Sequence, residues 1–340
     1  MTQDFEATTH ILTRDDWLAK ASEEILEPEL PIIDPHHHLW DRLGPYFADE
    51  LLADLTSGHN IRKTVFIQCR YGYREEGPTD LKPVGETVFV VGIAVECARK
   101  RPDIGACDGI VAHANLLLGD AVQPVLDAHK EAAKGRLRGI RHYTASGGDR
   151  FSGAVPNSPL RLMYDDAFRK GFGHLAANGL TYDAWLYHPQ IPDFTDLARA
   201  FPDTTMILDH LGGPLGIGPY RGKGDEVFAE WKGYMQDLAG CPNVIIKLGG
   251  LAMDVNGFDL HLEPLPPSSG ECARLWRPYI ETAIELFGAD RCMFESNFPV
   301  DKGAVSYPVV WNAFKRIAAG ASDAEKASLF HDTAARVSRL

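Results

Sequence analysis

Short apolar runs rich in β-branched residues alternate along this chain with longer segments whose apolar positions recur every three or four residues. The runs predict strands at 32–34, 63–68, 109–115, 137–143, 181–187, 205–209, 243–248 and 291–295. The periodic segments predict helices at 84–100, 122–134, 163–178, 194–200, 226–238, 273–287, 307–319 and 323–337. A weaker helical candidate, 49–55, lies between the first two strands. Eight strands joined by crossover helices fit a closed parallel barrel better than an open sheet. No GxGxxG follows the first strand, which argues against a dinucleotide-binding sheet. The expected fold is therefore α/β, a (β/α)8 barrel over residues 31–340, preceded by an N-terminal extension over residues 1–30. In that extension, Thr13-Arg14-Asp15-Asp16 would cap a short helix running through Leu26, and Pro28 and Pro31 would separate it from the first strand.

Composition narrows the class. The chain has 340 residues, of which 45% are hydrophobic and 24% charged, ordinary for a globular enzyme. Its net charge of −13 argues against nucleic acid and anionic membrane surfaces as partners. The expected partner is a small-molecule substrate, and a homo-oligomeric state stays open. No apolar run is long enough to span a bilayer. The six cysteines are dispersed without a CxxC pair, and the opening MTQDFEATTH is polar, so reduced thiols and a cytoplasmic location are expected.

The candidate chemistry gathers where the predicted strands end. Asp34-Pro35-His36-His37-His38-Leu39-Trp40 follows the first strand. Side chains alternate along a strand, so His36 and His38 share a face that His37 does not. Two imidazoles so spaced can hold one divalent ion such as Zn²⁺ at about 2.0–2.1 Å per nitrogen. Gln68 ends strand two, Arg138, Arg141 and His142 lie on or after strand four, and His188 and His210 follow strands five and six. Lys247 lies on strand seven and Glu295-Ser296-Asn297 end strand eight. In a parallel barrel the loops after the strands build the active site, so all of these converge on one pocket. Gln68, Arg138, Arg141, His142 and Lys247 are the candidates for binding substrate. An arginine there suits a substrate carboxylate, which a guanidinium grips bidentately. Arg138 and Arg141 are three apart, so only one need face inward.

Asp34-Pro35-His36-His37-His38-Leu39-Trp40, Arg138-Gly139-Ile140-Arg141-His142, Leu208-Asp209-His210-Leu211-Gly212 and Glu295-Ser296-Asn297-Phe298-Pro299 together resemble the amidohydrolase superfamily. The likeness is to the branch of amidohydrolase-2-type TIM-barrel hydrolases that includes pyrone-dicarboxylate and sugar lactonases. It implies a TIM barrel and a metal set of His36, His38, His188 and His210, with an acid at the end of strand eight. The chain departs from the pattern there, reading Asn297 where many relatives carry aspartate. An amide can orient water but cannot take its proton. Glu295, two residues earlier, could supply the carboxylate as ligand or base, or could instead pair with Lys247. Asp301 is a further carboxylate, and a metal-bound hydroxide would need none. The implied function is a hydrolase opening a lactone ring, expected to be an anionic one from aromatic or sugar-acid catabolism. Glu295, Asn297 and His210 are then the catalytic candidates, with a divalent metal, zinc first, as cofactor. The alternative is a metal-dependent non-oxidative decarboxylase or hydratase on the same barrel.

Overall fold

Strand residues that alternate between an inward β-branched side chain and an outward one set the architecture. The computed structural model describes residues 6–42 and 44–340. Eight parallel strands form one sheet: β1 (Pro31–His37), β2 (Asn60–Ile67), β3 (Gly105–Ala112), β4 (Leu137–Arg141), β5 (Thr181–Ala184), β6 (Met206–Leu208), β7 (Val244–Leu248) and β8 (Cys292–Phe294). Each pairs with its sequence neighbours. The loop after β8 then returns to β1, where the His38 N–H donates to the Phe298 carbonyl at 2.7 Å and the Asn297 N–H to the His36 carbonyl at 3.0 Å. These bonds, with the parallel bridge between His37 and Phe298, close the barrel. Among the described residues no helix is long and apolar enough to cross a membrane.

The barrel floor is apolar. Ile33, Ile207, Ile245 and Met293 form a cluster with Ala334 and Val337 from the last helix, and Val65, Ile67 and Val111 pack with Leu340. A fully buried side chain of this size contributes about 1.5–3 kcal/mol, so the closing helix is a plug that seals the end of the barrel away from the active-site loops. Stepping by two along the strands from this floor leads to Arg141, Asp183, Asp209, Lys247 and Glu295. On β1 a register shift between Asp34 and His37 changes the phase. His36 and His38 join the inward set, while His37 bonds Thr64 at 2.8 Å behind the strand.

Local preference yields to tertiary bonding in several places. The helix expected through Leu26 spans only Asp15–Leu18 and has no side-chain cap. Residues beyond it are held as irregular chain and turns instead. Leu26 N–H donates to Asn312 at 2.9 Å, and Lys315 Nζ donates to the Leu26 and Glu27 carbonyls at 2.8 Å. The helix expected at 163–178 is two, Asp166–Phe172 and His174–Ala177, with the break at Gly173. The last helix, expected as one span, contains a π-helical stretch at Ser328–Asp332. β4 and β5 both end earlier than their apolar runs suggest, at Arg141 and Ala184. That shortening decides which of their neighbours reach the site.

Candidate active site

Above the apolar floor the barrel interior turns ionic. Lys247 Nζ donates to Asp183 at 2.7 Å and lies 3.1 Å from Asp209. Arg141 Nη1 donates to Asp209 at 3.2 Å, and its Nη2 to the Gln68 carbonyl at 2.5 Å. All of these side chains are almost wholly buried. Burial works against the Lys247 ammonium, yet Asp183, Asp209 and Glu295 hold it above the usual lysine range. Burial likewise pushes the Asp183 carboxyl up to about 6. For Asp209, Lys247 and His36 outweigh burial and hold it well below the carboxylate range.

Glu295 occupies the centre of the histidine cluster. Its Oε1 accepts from His210 Nδ1 at 2.6 Å and from the His210 backbone N–H at 3.0 Å. Its Oε2 lies 2.8 Å from His36 Nδ1. Burial alone would raise this carboxyl, but His210 and His36 bring it down to about 2. The close fit depends on glycines after β7. A Cβ on Gly249 would lie 2.6 Å from Glu295 Cγ, and one on Gly250 would lie 2.4 Å from His210 Nδ1. His210 itself sits at φ 55°, which turns its ring back over the barrel axis.

His210 and His38 each have one nitrogen committed to an acceptor, while His36 Nδ1 lies between Glu295 Oε2 at 2.8 Å and the Lys247 ammonium at 3.2 Å. His36 and His210 face Glu295 through Nδ1, and His38 Nδ1 donates to the Ile67 carbonyl at 2.8 Å. Burial lowers His36 to about 4 and holds His38 well below its usual range, so both rings are neutral, and His38, with Nδ1 donating, presents the lone pair of its Nε2. This is how protein acceptors orient imidazole metal ligands. The two Nε2 atoms are 3.3 Å apart, the separation of two nitrogens on one tetrahedral ion at bonds of about 2.0–2.1 Å. The ligand-capable atoms of His36, Asp209 and His210 also lie within 4.8 Å of one another. Asp183, Asp209 and Glu295 face only Lys247 and Arg141 as fixed cations, so the cluster has one negative charge left for a proton or a cation to offset. A divalent ion fits this donor set. Arg141 Nη1, 3.5 Å from His36 Nε2, competes for the same lone pair.

The cluster opens into a pocket with about 650 Å³ of empty space, part of it open to solvent. His38, Arg141, His210 and Asn297 form its reactive floor, with Tyr143, Trp185, Tyr187, Met253 and Val255 as walls. Trp40 stacks on His38 with centroids 5.3 Å apart, and Trp185 meets the His210 ring at 4.9 Å. Asn297 Nδ2 donates to Asp301 at 2.8 Å. Its Oδ1 is buried without a partner among the described residues. Burial raises the Asp301 carboxyl to about 7.

Several residues expected at the site lie elsewhere. Arg138 points outward and donates to the carbonyls of Gly135 and Asp108, because strand alternation turns Arg141 inward and Arg138 out. His188 falls in the 3-10 turn after a β5 that has already ended. Its Nε2 lies 3.2 Å from Glu230, and it is not brought to His36 and His38. His142, one residue past β4, accepts from the Leu116 N–H at 3.2 Å and packs on His113 behind the wall. Gln68 serves the site through its backbone carbonyl, and neither amide atom of its buried side chain has a partner among the described residues. Lys247 lies beneath the pocket and reaches it only through Asp209 and His36. Glu295 holds two imidazoles and does not pair directly with Lys247. Asp183 and Asp209 were not singled out from the sequence, although a charge within an apolar strand (Asp183) or closing one (Asp209) is the signal for each.

A family model described as Amidohydrolase matches residues 33–340. An uncharacterized protein of Sinorhizobium fredii is 35% identical over 92% of this chain and 99% of its own length. An L-fucono-1,5-lactonase of Burkholderia multivorans is 26% identical over 89% of this chain and 94% of its own. The crystal structure of an amidohydrolase from Burkholderia multivorans with bound zinc superposes with a TM-score of 0.70 at 24% identity, covering 91% of this chain and 99% of that one. With its closed parallel barrel and the histidines gathered at the strand ends, the chain belongs to the amidohydrolase family.

Proposed function

We propose that this protein is a lactonase that hydrolyses the ring ester of a sugar-derived lactone. The observation that carries the reading is the 2.6 Å contact between Glu295 and His210 Nδ1, with His210 on the pocket floor. A buried carboxylate on one imidazole nitrogen fixes the tautomer and stabilises the imidazolium, leaving the other nitrogen to act as base. Glu295 is therefore a positioning residue and His210 the base.

His210 Nε2 takes a proton as water adds to the ring carbonyl. Asn297 Oδ1, unpartnered among the described residues, accepts a hydrogen bond from that water and aligns it. Arg141 donates to the carbonyl oxygen as negative charge develops there. The carbonyl carbon gains the water oxygen, the bond to the ring oxygen breaks, and the departing oxygen takes the proton back from His210. The hydroxy acid product ionises at neutral pH and releases one proton.

Arg141 is already matched by Asp209, which favours a neutral hydroxylated ring over a carboxylated one. The similarity to an L-fucono-1,5-lactonase supports the same choice. A divalent ion, zinc in the solved relative, would be held by His36 and His38 through Nε2, beside His210. When bound it would lower the pKa of a water molecule toward neutrality.

Acid release from a panel of aldonolactones and pyrone carboxylates, followed with a pH indicator, tests the proposal. Turnover of hydroxylated lactones with little on pyrone carboxylates is expected. Acid release from no lactone, together with CO₂ release from hydroxybenzoates, would replace it with decarboxylation.

A further inference from the structure

We infer that residues Thr8–Ile11 form the roof of the pocket and that Thr8 and His10 are specificity-determining residues for the substrate's hydroxyl groups. The inference rests on the lactonase reading for its substrate class. The segment Glu6–Ala7 pairs in parallel with Phe151–Ser152 in the loop after β4, and the Thr8 N–H adds a bond to the Ser152 carbonyl at 2.9 Å. Three residues on, Ile11 lies flat against Gly303 in the loop after β8. A Cβ on that glycine would be 2.5 Å from the Ile11 carbonyl oxygen and 2.6 Å from its Cβ. In a barrel of eight sequentially paired strands, β4 and β8 stand on opposite sides. The chain therefore crosses the mouth from one rim to the other, anchored at both.

Thr8, Thr9, His10 and Ile11 all line the pocket. Thr8 Oγ1 and His10 Nδ1 are buried without a hydrogen-bond partner among the described residues. An unsatisfied buried polar atom is a standing cost that a ligand can remove. Burial, reinforced by Arg42, lowers the His10 imidazole to about 4, so it meets substrate as a neutral ring. His10 also lies 5.0 Å from Trp40, which stacks on His38, so the roof is in register with the reactive floor. Groups on the lactone ring remote from the carbonyl face the roof while the carbonyl meets His210 and Arg141. A site built to bond a hydroxyl discriminates strongly against an analogue lacking it.

The test compares kcat/KM for L-fucono-1,5-lactone and for unsubstituted δ-valerolactone in wild type, Thr8→Val, His10→Phe and Thr8→Ser. Val matches Thr in shape and Phe keeps the ring against Trp40, so each change removes hydrogen-bonding capacity with little change of volume. The preference for the hydroxylated lactone should fall by about tenfold for each lost bond, and Thr8→Ser should retain it. Equal losses on both lactones, or an unchanged preference, would overturn the role of the roof. If wild type opens neither lactone, the lactonase reading fails on its own. Calorimetric binding of the matching hydroxylated lactam then decides the roof. Weaker binding by Thr8→Val and His10→Phe supports it, while equal binding, or none by wild type, overturns it.

Discussion

Replacing Glu295 by Gln keeps the shape at the centre of the cluster and removes one charge. The amide oxygen can still accept from the His210 ring and backbone N–H, now at 2.6 and 3.0 Å. The amide nitrogen must then face His36, whose Nδ1 lies 2.8 Å from the present Oε2. The fold should survive, because Lys247 and Arg141 remain matched by Asp183 and Asp209. What is lost is the attraction between a carboxylate and the imidazolium that forms on His210 during attack. At roughly 4 Å between charge centres and an effective dielectric of about 20, that attraction is about 4 kcal/mol. The expected fall in kcat is therefore about a thousandfold. KM should change little, because Glu295 is not part of the pocket wall. The assay is pH-indicator turnover over a full lactone concentration series, with circular dichroism and a thermal melt on the same sample. A folded variant with kcat within about tenfold of wild type would refute the dyad and move the proton to another acceptor.

Arg141→Lys keeps a charge for Asp209 but loses the fork that bonds Gln68 and Asp209 together. A drop of roughly a hundredfold in kcat, larger than any rise in KM, is expected from losing a transition-state donor, and a change confined to KM would refute that role. Asn297→Asp would set its new carboxyl at the present 2.8 Å from that of Asp301, already raised to about 7. Its rate relative to wild type should fall as pH passes from about 6 to about 9, and a flat ratio would refute the coupling. Burial raises the Glu86 carboxyl from 4.5 to about 7, while its Oε1 accepts from the N–H groups of Cys69 and Tyr71. The folded chain holds that proton longer than the unfolded one, so its stabilisation is complete below about 4.5 and lost as pH rises through about 7. Glu86→Gln keeps the acceptor and cannot ionise, so its unfolding free energy should be flatter across that window, by a difference of up to about 3 kcal/mol. Parallel curves for the two proteins would refute the assignment.

The eight barrel strands were legible because β-branched runs at regular intervals have few alternative folds. His36, His38, His210, Arg141, Glu295 and Asn297 are expected together, and lie together, because a parallel barrel sends strand-end side chains to one mouth. What was hidden depends on where each strand stops. β5 runs on in sequence as an apolar segment to Tyr187, but its ladder ends at Ala184, and the three residues between carry His188 out of the cluster. Arg138 and Arg141 could be assigned to opposite faces but not to a particular one, because spacing within a strand does not reveal which face is inside. The roof was hidden for another reason. Nothing in a polar segment shows that it will dock on the loops after β4 and β8, since its bonds are to a backbone more than a hundred residues away.

The indoles beside the reactive imidazoles give the site an optical readout. Trp40 lies parallel to His38 at an interplanar angle of 10°, and Trp185 meets His210 edge-on at 73°. A proton or ion arriving on either imidazole draws electron density from the adjoining contact and quenches the indole excited state. The Trp40 and Trp185 share of the emission from the chain's six tryptophans would therefore report the charge state of the reaction centre without any label. Trp40→Phe and Trp185→Phe would separate the signal of His38 from that of His210.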